Sequence, residues 1–177
     1  MSISAELKKL LDTPELPDLG PGPRKRVLPI SELEQSLSKI LPNSKADAES
    51  QALICGLVFL WHDHFHAAHE LAQANENSDG AFLHGIVHRR EPDYGNARYW
   101  FRRVDGFPVF AEIARRIIDL TEGSPGSSGR SRLVRQGQWD PFAFIEACET
   151  ARDEATRDYL RVVQQLETEE LLNYLAG

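Results

Sequence analysis

The chain has 177 residues, 41% apolar and 27% charged, which fits one domain with a core of its own. Its formal net charge of -7 argues against a general nucleic-acid binder, because phosphate recognition needs a basic footprint. No run of about 18 apolar residues appears, so no membrane span is expected.

Residues 1–30 read as an N-terminal helix and arm. A short helix is expected from Ser4 to Leu11, and its sequence lacks the apolar centre of a signal peptide. The stretch TPELPDLGPGPRKRVLP then reads as an extended Pro/Gly-rich arm over the surface. Ser31 with Glu34 forms a capping-box pattern that opens a helix to about Leu41. Pro42-Asn43 stops it, and Ser44 can cap the next. Lys45 to Asn75 is the longest periodic stretch; as one helix it spans roughly 45 Å at about 1.5 Å per residue. Gly56 marks a bend or a close helix contact within it. Asn77-Ser78-Asp79-Gly80 reads as a turn, followed by a helix from Ala81 to Arg90. Asp93 caps a helix from Tyr94 to Val104, which Asp105-Gly106 ends, and Pro108 opens another to about Leu120.

Residues 122–138 read as a flexible loop by composition. Asp140-Pro141 is an N-cap and first-position pair that opens an amphipathic stretch to Leu166, with a last helix from Thr168 to Leu175. Leu166, Leu171, Leu172 and Leu175 offer a face to the body of the molecule or to a second copy in a homodimer. No strand run of period two is evident. The expectation is an all-α fold, an irregular helical bundle in one domain. Cys55 and Cys148 lie in apolar helical patterns and make no disulfide framework, so the expected location is cytoplasmic.

All six histidines fall between positions 62 and 88. On a helix of about 100° per residue, His62, His66 and His69 lie within about 60° of one another, with Asp63 and Glu70 beside them. His64 points to the other side. On the next helix His84 and His88 are neighbours at i and i+4. If the two helices run antiparallel, His69 meets His84 and His66 meets His88 in depth. Imidazole is the commonest biological ligand for zinc and iron, and a catalytic site needs about three protein ligands and an open position. His62, His66, His69, His84 and His88 are therefore the candidate ligands, with Glu70 or Asp63 orienting a ligand or acting as general base. The HExxH pattern itself is absent. The plain alternative is that each histidine satisfies a neighbouring carboxylate or carbonyl.

The segment HRREPDYGNARYWFRRV, from His88 to Val104, is the densest polar run. An arginine fork binds carboxylate or phosphate, so Arg89 and Arg90, with Tyr99 nearby, are candidates to hold a small anionic ligand. The alternative is a buried ion-pair network in which Arg89 or Arg90 bonds Glu91 and Asp93. Trp100 and Phe101 read as core.

FLHGIVHRREPDYGNARYWFRRV, with the upstream LWHDHFHAAHELAQ, resembles a family of small uncharacterised bacterial and fungal proteins. The match runs through His62, Asp63, His69, Asp79, Gly80, His84, His88, Arg89, Arg90, Glu91, Pro92, Asp93, Asn96, Tyr99 and Trp100. The family pattern has an acid where this chain has His66. The resemblance covers about 50 residues, and it implies where a site lies without implying its chemistry.

Gly123, Gly126 and Gly129 follow no strand and precede no GK[ST], so they make no phosphate loop. No GxSxG elbow occurs. The expected function is a metal-dependent enzyme, hydrolase or oxygenase, that uses zinc or iron on a small anionic metabolite. The alternatives are a non-catalytic pocket for a phosphorylated or carboxylated ligand, or a structural protein with a buried polar network.

Overall fold

A computed structural model describes residues 3–104, 107–121 and 130–177. Among these residues the chain is an all-α bundle. In order it forms α1 (Ile3–Leu10), α2 (Ile30–Ile40), α3 (Ala48–Trp61), α4 (Phe65–Gln73), α5 (Ser78–Arg90), α6 (Tyr94–Phe101), α7 (Val109–Thr121), α8 (Pro141–Thr150) and α9 (Glu154–Ala176). The expected helix end at Asp105-Gly106, and the glycine-rich residues 122–129, lie outside the described residues. No helix among the described residues is long and apolar enough to cross a membrane.

The centre of the bundle is α3. Leu53, Ile54, Leu57, Val58, Leu60 and Trp61 are all buried, so the helix is apolar nearly all round and must be surrounded. It packs on α4, α5 and α9. Gly56 marks a close contact rather than a bend. A Cβ there would meet Leu83 Cδ2 at 2.7 Å and Leu71 Cβ at 3.3 Å, so only hydrogen lets α4 and α5 approach.

The expected single helix from Lys45 to Asn75 is broken at His62–His64. Asp63 takes a left-handed φ of 64°, a conformation that aspartate tolerates better than most residues. The end of α3 leaves carbonyls without helical donors. Two arginines supply the donors: Arg90 Nη1 reaches Leu60 O at 2.5 Å, and Arg24 Nη2 reaches Trp61 O. The stop is thus set by side chains from the arm and from α5, which local sequence does not announce.

The arm is stitched down along its length. Leu11 and Leu19 are buried. The Asp18 carbonyl accepts from Arg90 and Gln164, and its carboxylate accepts from Arg157 and Arg161. Farther along, the Arg24 N–H donates to Asp63 at 2.8 Å.

Other boundaries shift for local reasons. No side-chain cap forms at Pro29, so the Ser31–Glu34 capping box is not used. Asp47, not Ser44, caps α3 by accepting from the Ser50 N–H at 2.8 Å. Asn77 caps α5, which therefore starts at Ser78, where a turn was expected. Asp153 opens a separate helix that runs unbroken to Ala176, so the predicted break near Leu166 falls near Ala151 instead. Leu166, Leu171, Leu172 and Leu175 are buried within the chain, and no second copy is needed to cover them.

Residues 130–138, read from composition as loop, take defined structure. A 3₁₀ turn leads into a two-residue ladder, Val134–Arg135 against Gln138–Trp139. Gln136 and Gly137 both have positive φ, as a tight hairpin turn requires. The ladder is too short to show a period of two. Its anchor is Trp139, buried among Phe82, Phe101, Phe110 and Phe144.

Candidate metal centre

Two helix pairs build the candidate site. α4 and α5 pack side by side after a short link, and α5 then turns through Glu91-Pro92 into α6. Gly85 fixes the second approach. A Cβ there would lie 2.7 Å from the Phe101 ring, so α6 sits against α5 at closer range than alanine would allow.

That packing gathers three histidines. His69 comes from α4, and His84 and His88 come from successive turns of α5. One ligand-capable nitrogen from each lies within 4.8 Å of the others. His84 Nε2 and His69 Nε2 are 3.0 Å apart and share a hydrogen bond. His84 and His88 stack with centroids 4.9 Å apart, and His69 stands edge-on to both. Trp100 covers the His84 ring, stacked at 3.9 Å, and the Arg103 guanidinium lies 5.3 Å from the Trp100 ring centre. Trp100, read from sequence as core, is half-buried and orients a histidine.

Burial and the two neighbouring imidazoles lower the pKa of His84 to about 4. Burial also depresses His88, against the pull of Glu91. Both rings are therefore neutral at neutral pH, the form that offers a lone pair to a metal. His84 Nδ1 and His88 Nδ1 are buried without a hydrogen-bond partner among the described residues.

The acid response of the metal-free protein follows. The folded pKa of His84 is depressed, so above the unfolded value of about 6.5 the group does not affect stability. As pH falls from there toward 4, the unfolded chain takes up a proton that the folded one refuses. We expect a stability loss of roughly 3 kcal/mol from this group across that window, levelling below it. His62 and His88 are shifted in the same direction and add to the loss. Urea midpoints between pH 7.5 and 4 measure it, and a flat profile contradicts the burial of these rings.

The other predicted site residues lie elsewhere. His62 has both nitrogens engaged: Nδ1 accepts from the Leu28 N–H at 3.1 Å, and Nε2 is 2.8 Å from Leu10 O. A ring that donates and accepts in this way has no lone pair for a metal. His62 fastens the arm, as does His64, whose Nε2 is 2.8 Å from Leu28 O. His66 is exposed and pairs with Glu70, 3.4 Å away, and neither belongs to the cluster found among the described residues. Asp63 is enclosed by Arg90 at 2.6 Å and Arg24 at 3.0 Å. Burial pushes its carboxyl up, but these donors outweigh that and hold it below the usual range. It is a buried counter-ion with no proton to exchange near the histidines.

Arg89 and Arg90 are committed to carboxylates of the chain itself. Both are buried. Arg89 forks onto Glu167 at 2.7 and 2.5 Å and stacks over Phe144, and Arg90 binds Asp63. The buried ion-pair alternative is the correct one, though with other partners than expected. Glu91 instead faces His88, and Asp93 caps α6 by accepting from the Asn96 N–H. Tyr99 is exposed and accepts from Arg103 at 3.3 Å. Comparison with protein-family models, with curated proteins and with solved structures gives no match.

Proposed function

We propose that His69, His84 and His88 bind one divalent transition metal, zinc or iron, and that the protein is a metal-dependent enzyme of the hydrolase or oxygenase type. The observation that carries this reading is the convergence of three imidazole nitrogens within 4.8 Å. Tetrahedral zinc with Zn–N bonds near 2.0–2.1 Å sets its nitrogen ligands about 3.3 Å apart. The 3.0 Å His69–His84 separation is already close to that, and His88 offers a third nitrogen within 4.8 Å of the other two.

A self-contained polar network supports the reading less well. Such a network satisfies its own atoms, because a buried unpaired polar group costs about 1–3 kcal/mol. Here His84 Nδ1 and His88 Nδ1 are left over, so the cluster does not close on itself, and a metal would be held through the other ring nitrogens. Three histidine ligands leave a coordination position open, and in that arrangement zinc lowers the pKa of bound water to about 7. The anionic character expected of the substrate has lost its support, since Arg89 and Arg90 are occupied with buried carboxylates. The free thiols of Cys55 and Cys148 favour a reducing, cytoplasmic setting.

Titration of metal-free protein with zinc tests the site. One equivalent should bind to the wild type, and His69→Ala and His88→Ala should each lose stoichiometric binding while keeping a cooperative unfolding transition. Full binding by both variants, or none by the wild type, overturns the assignment. Both positions are only part-buried, so neither variant is expected to unfold the chain.

A further inference from the structure

We propose that Glu91 is the positioning carboxylate of this site: it holds the Nδ1–H of His88 toward itself, so that Nε2 is the nitrogen presented to a divalent transition metal. The inference rests on the three-histidine reading and adds a residue to it. Glu91 Oε2 lies 3.4 Å from His88 Nδ1. That nitrogen is buried and has no hydrogen-bond partner among the described residues. Nothing else there competes for the carboxylate, because His88 is the only ion-pair partner of Glu91 among the described residues.

The backbone brings the two together deliberately. Glu91 caps the end of α5, its N–H bonded to Val87 O at 3.0 Å, and Pro92, which has no N–H to continue the helix, follows. The Asp93 N–H then folds back onto His88 O at 2.9 Å. The Glu91-Pro92-Asp93 turn is thus closed over the residue it faces. Asp93 Oδ2 is also near, at 3.9 Å, but it already accepts from Asn96 Nδ2 at 2.7 Å. Glu91 is the carboxylate left to serve.

A ligating imidazole keeps one N–H, and metal sites give that N–H an acceptor, which fixes the tautomer and turns the ring. At 3.4 Å the contact is longer than a formed hydrogen bond. Metal binding makes the Nδ1–H a better donor and draws the carboxylate in. Because Glu91 is exposed, its removal should change the metal site and leave the fold alone.

The experiment uses cobalt(II) as the probe on the full chain, reading both affinity and the visible d–d spectrum. Glu91→Ala should weaken cobalt binding about 10–100-fold at unchanged stoichiometry and alter the spectrum. Glu91→Gln, whose amide oxygen can still accept from Nδ1–H, should fall between the two, and the thermal midpoint of the metal-free variants should match the wild type. If the wild type binds one cobalt and Glu91→Ala binds it equally well, the positioning role is overturned and the site stands. If Glu91→Gln is as weak as Glu91→Ala, an acceptor for the Nδ1–H is not what Glu91 supplies, and the positioning role is again overturned. A wild type that binds no cobalt overturns the three-histidine reading itself.

Discussion

Arg89→Ala should destabilise the protein by about 3–5 kcal/mol, among the largest effects expected of any single change in the chain. Arg89 and Glu167 are both fully buried, and they meet in a two-bond fork. Burial pushes the Glu167 carboxyl up, and Arg89 opposes it. Removing the guanidinium leaves a carboxylate with no compensating charge and opens a gap against Phe144. The loss should show as a lower urea midpoint with an unchanged slope. Replacing both partners with apolar residues, Arg89→Met with Glu167→Leu, should recover most of it, because a well-packed apolar pair can stand in for a buried ion pair. If Arg89→Ala unfolds at the wild-type midpoint, Arg89 is not a buried structural residue.

Asp63→Ala should cost a similar amount, about 3–5 kcal/mol, and should also loosen the arm. Asp63 neutralises Arg90, which is nearly fully buried, and accepts from both the side chain and the backbone of Arg24. Without it two guanidiniums lose their carboxylate, and the arm loses one of its anchors on the end of α3. The arm itself carries Arg24, Lys25 and Arg26, three tryptic sites. Limited trypsin digestion should therefore cut the variant after residues 24, 25 and 26 faster than the wild type, in step with the fall in stability. Equal cleavage and equal stability would show that Asp63 does not hold the arm.

The candidate site was legible where it depends on one helix pair. His84 and His88 share a face of α5 at i and i+4, and a short link makes α4 and α5 neighbours, so their meeting with His69 follows from spacing alone. His62 was misplaced because the face argument needs an unbroken helix from 62 to 69. That helix breaks at Asp63, and the break is made by Arg24 and Arg90, far away in sequence. The roles of Arg89 and Arg90 were hidden for the same reason: Glu167 lies 78 residues from Arg89, and no local pattern connects them. Trp100 left a faint trace, since Gly85 beside His84 permits the close helix approach that puts an aromatic ring on the imidazole.

The helices themselves were readable from periodicity and from Asp93 and Asp140 as caps, and both aspartates accept the expected backbone bonds. Where Ser44 and Asp47 competed as caps for α3, the helix took Asp47. The break before α9 was announced only by Asp153, inside a stretch whose apolar period continues on either side.

His69, His84 and His88 are proposed to hold a metal. Elemental analysis of protein purified without a metal-affinity column tests it most directly. One equivalent of zinc or iron, removed by a chelator and restored on reconstitution, is the predicted result. Protein that carries no metal as purified, and takes up none on reconstitution, would contradict it and leave the three histidines as a structural cluster.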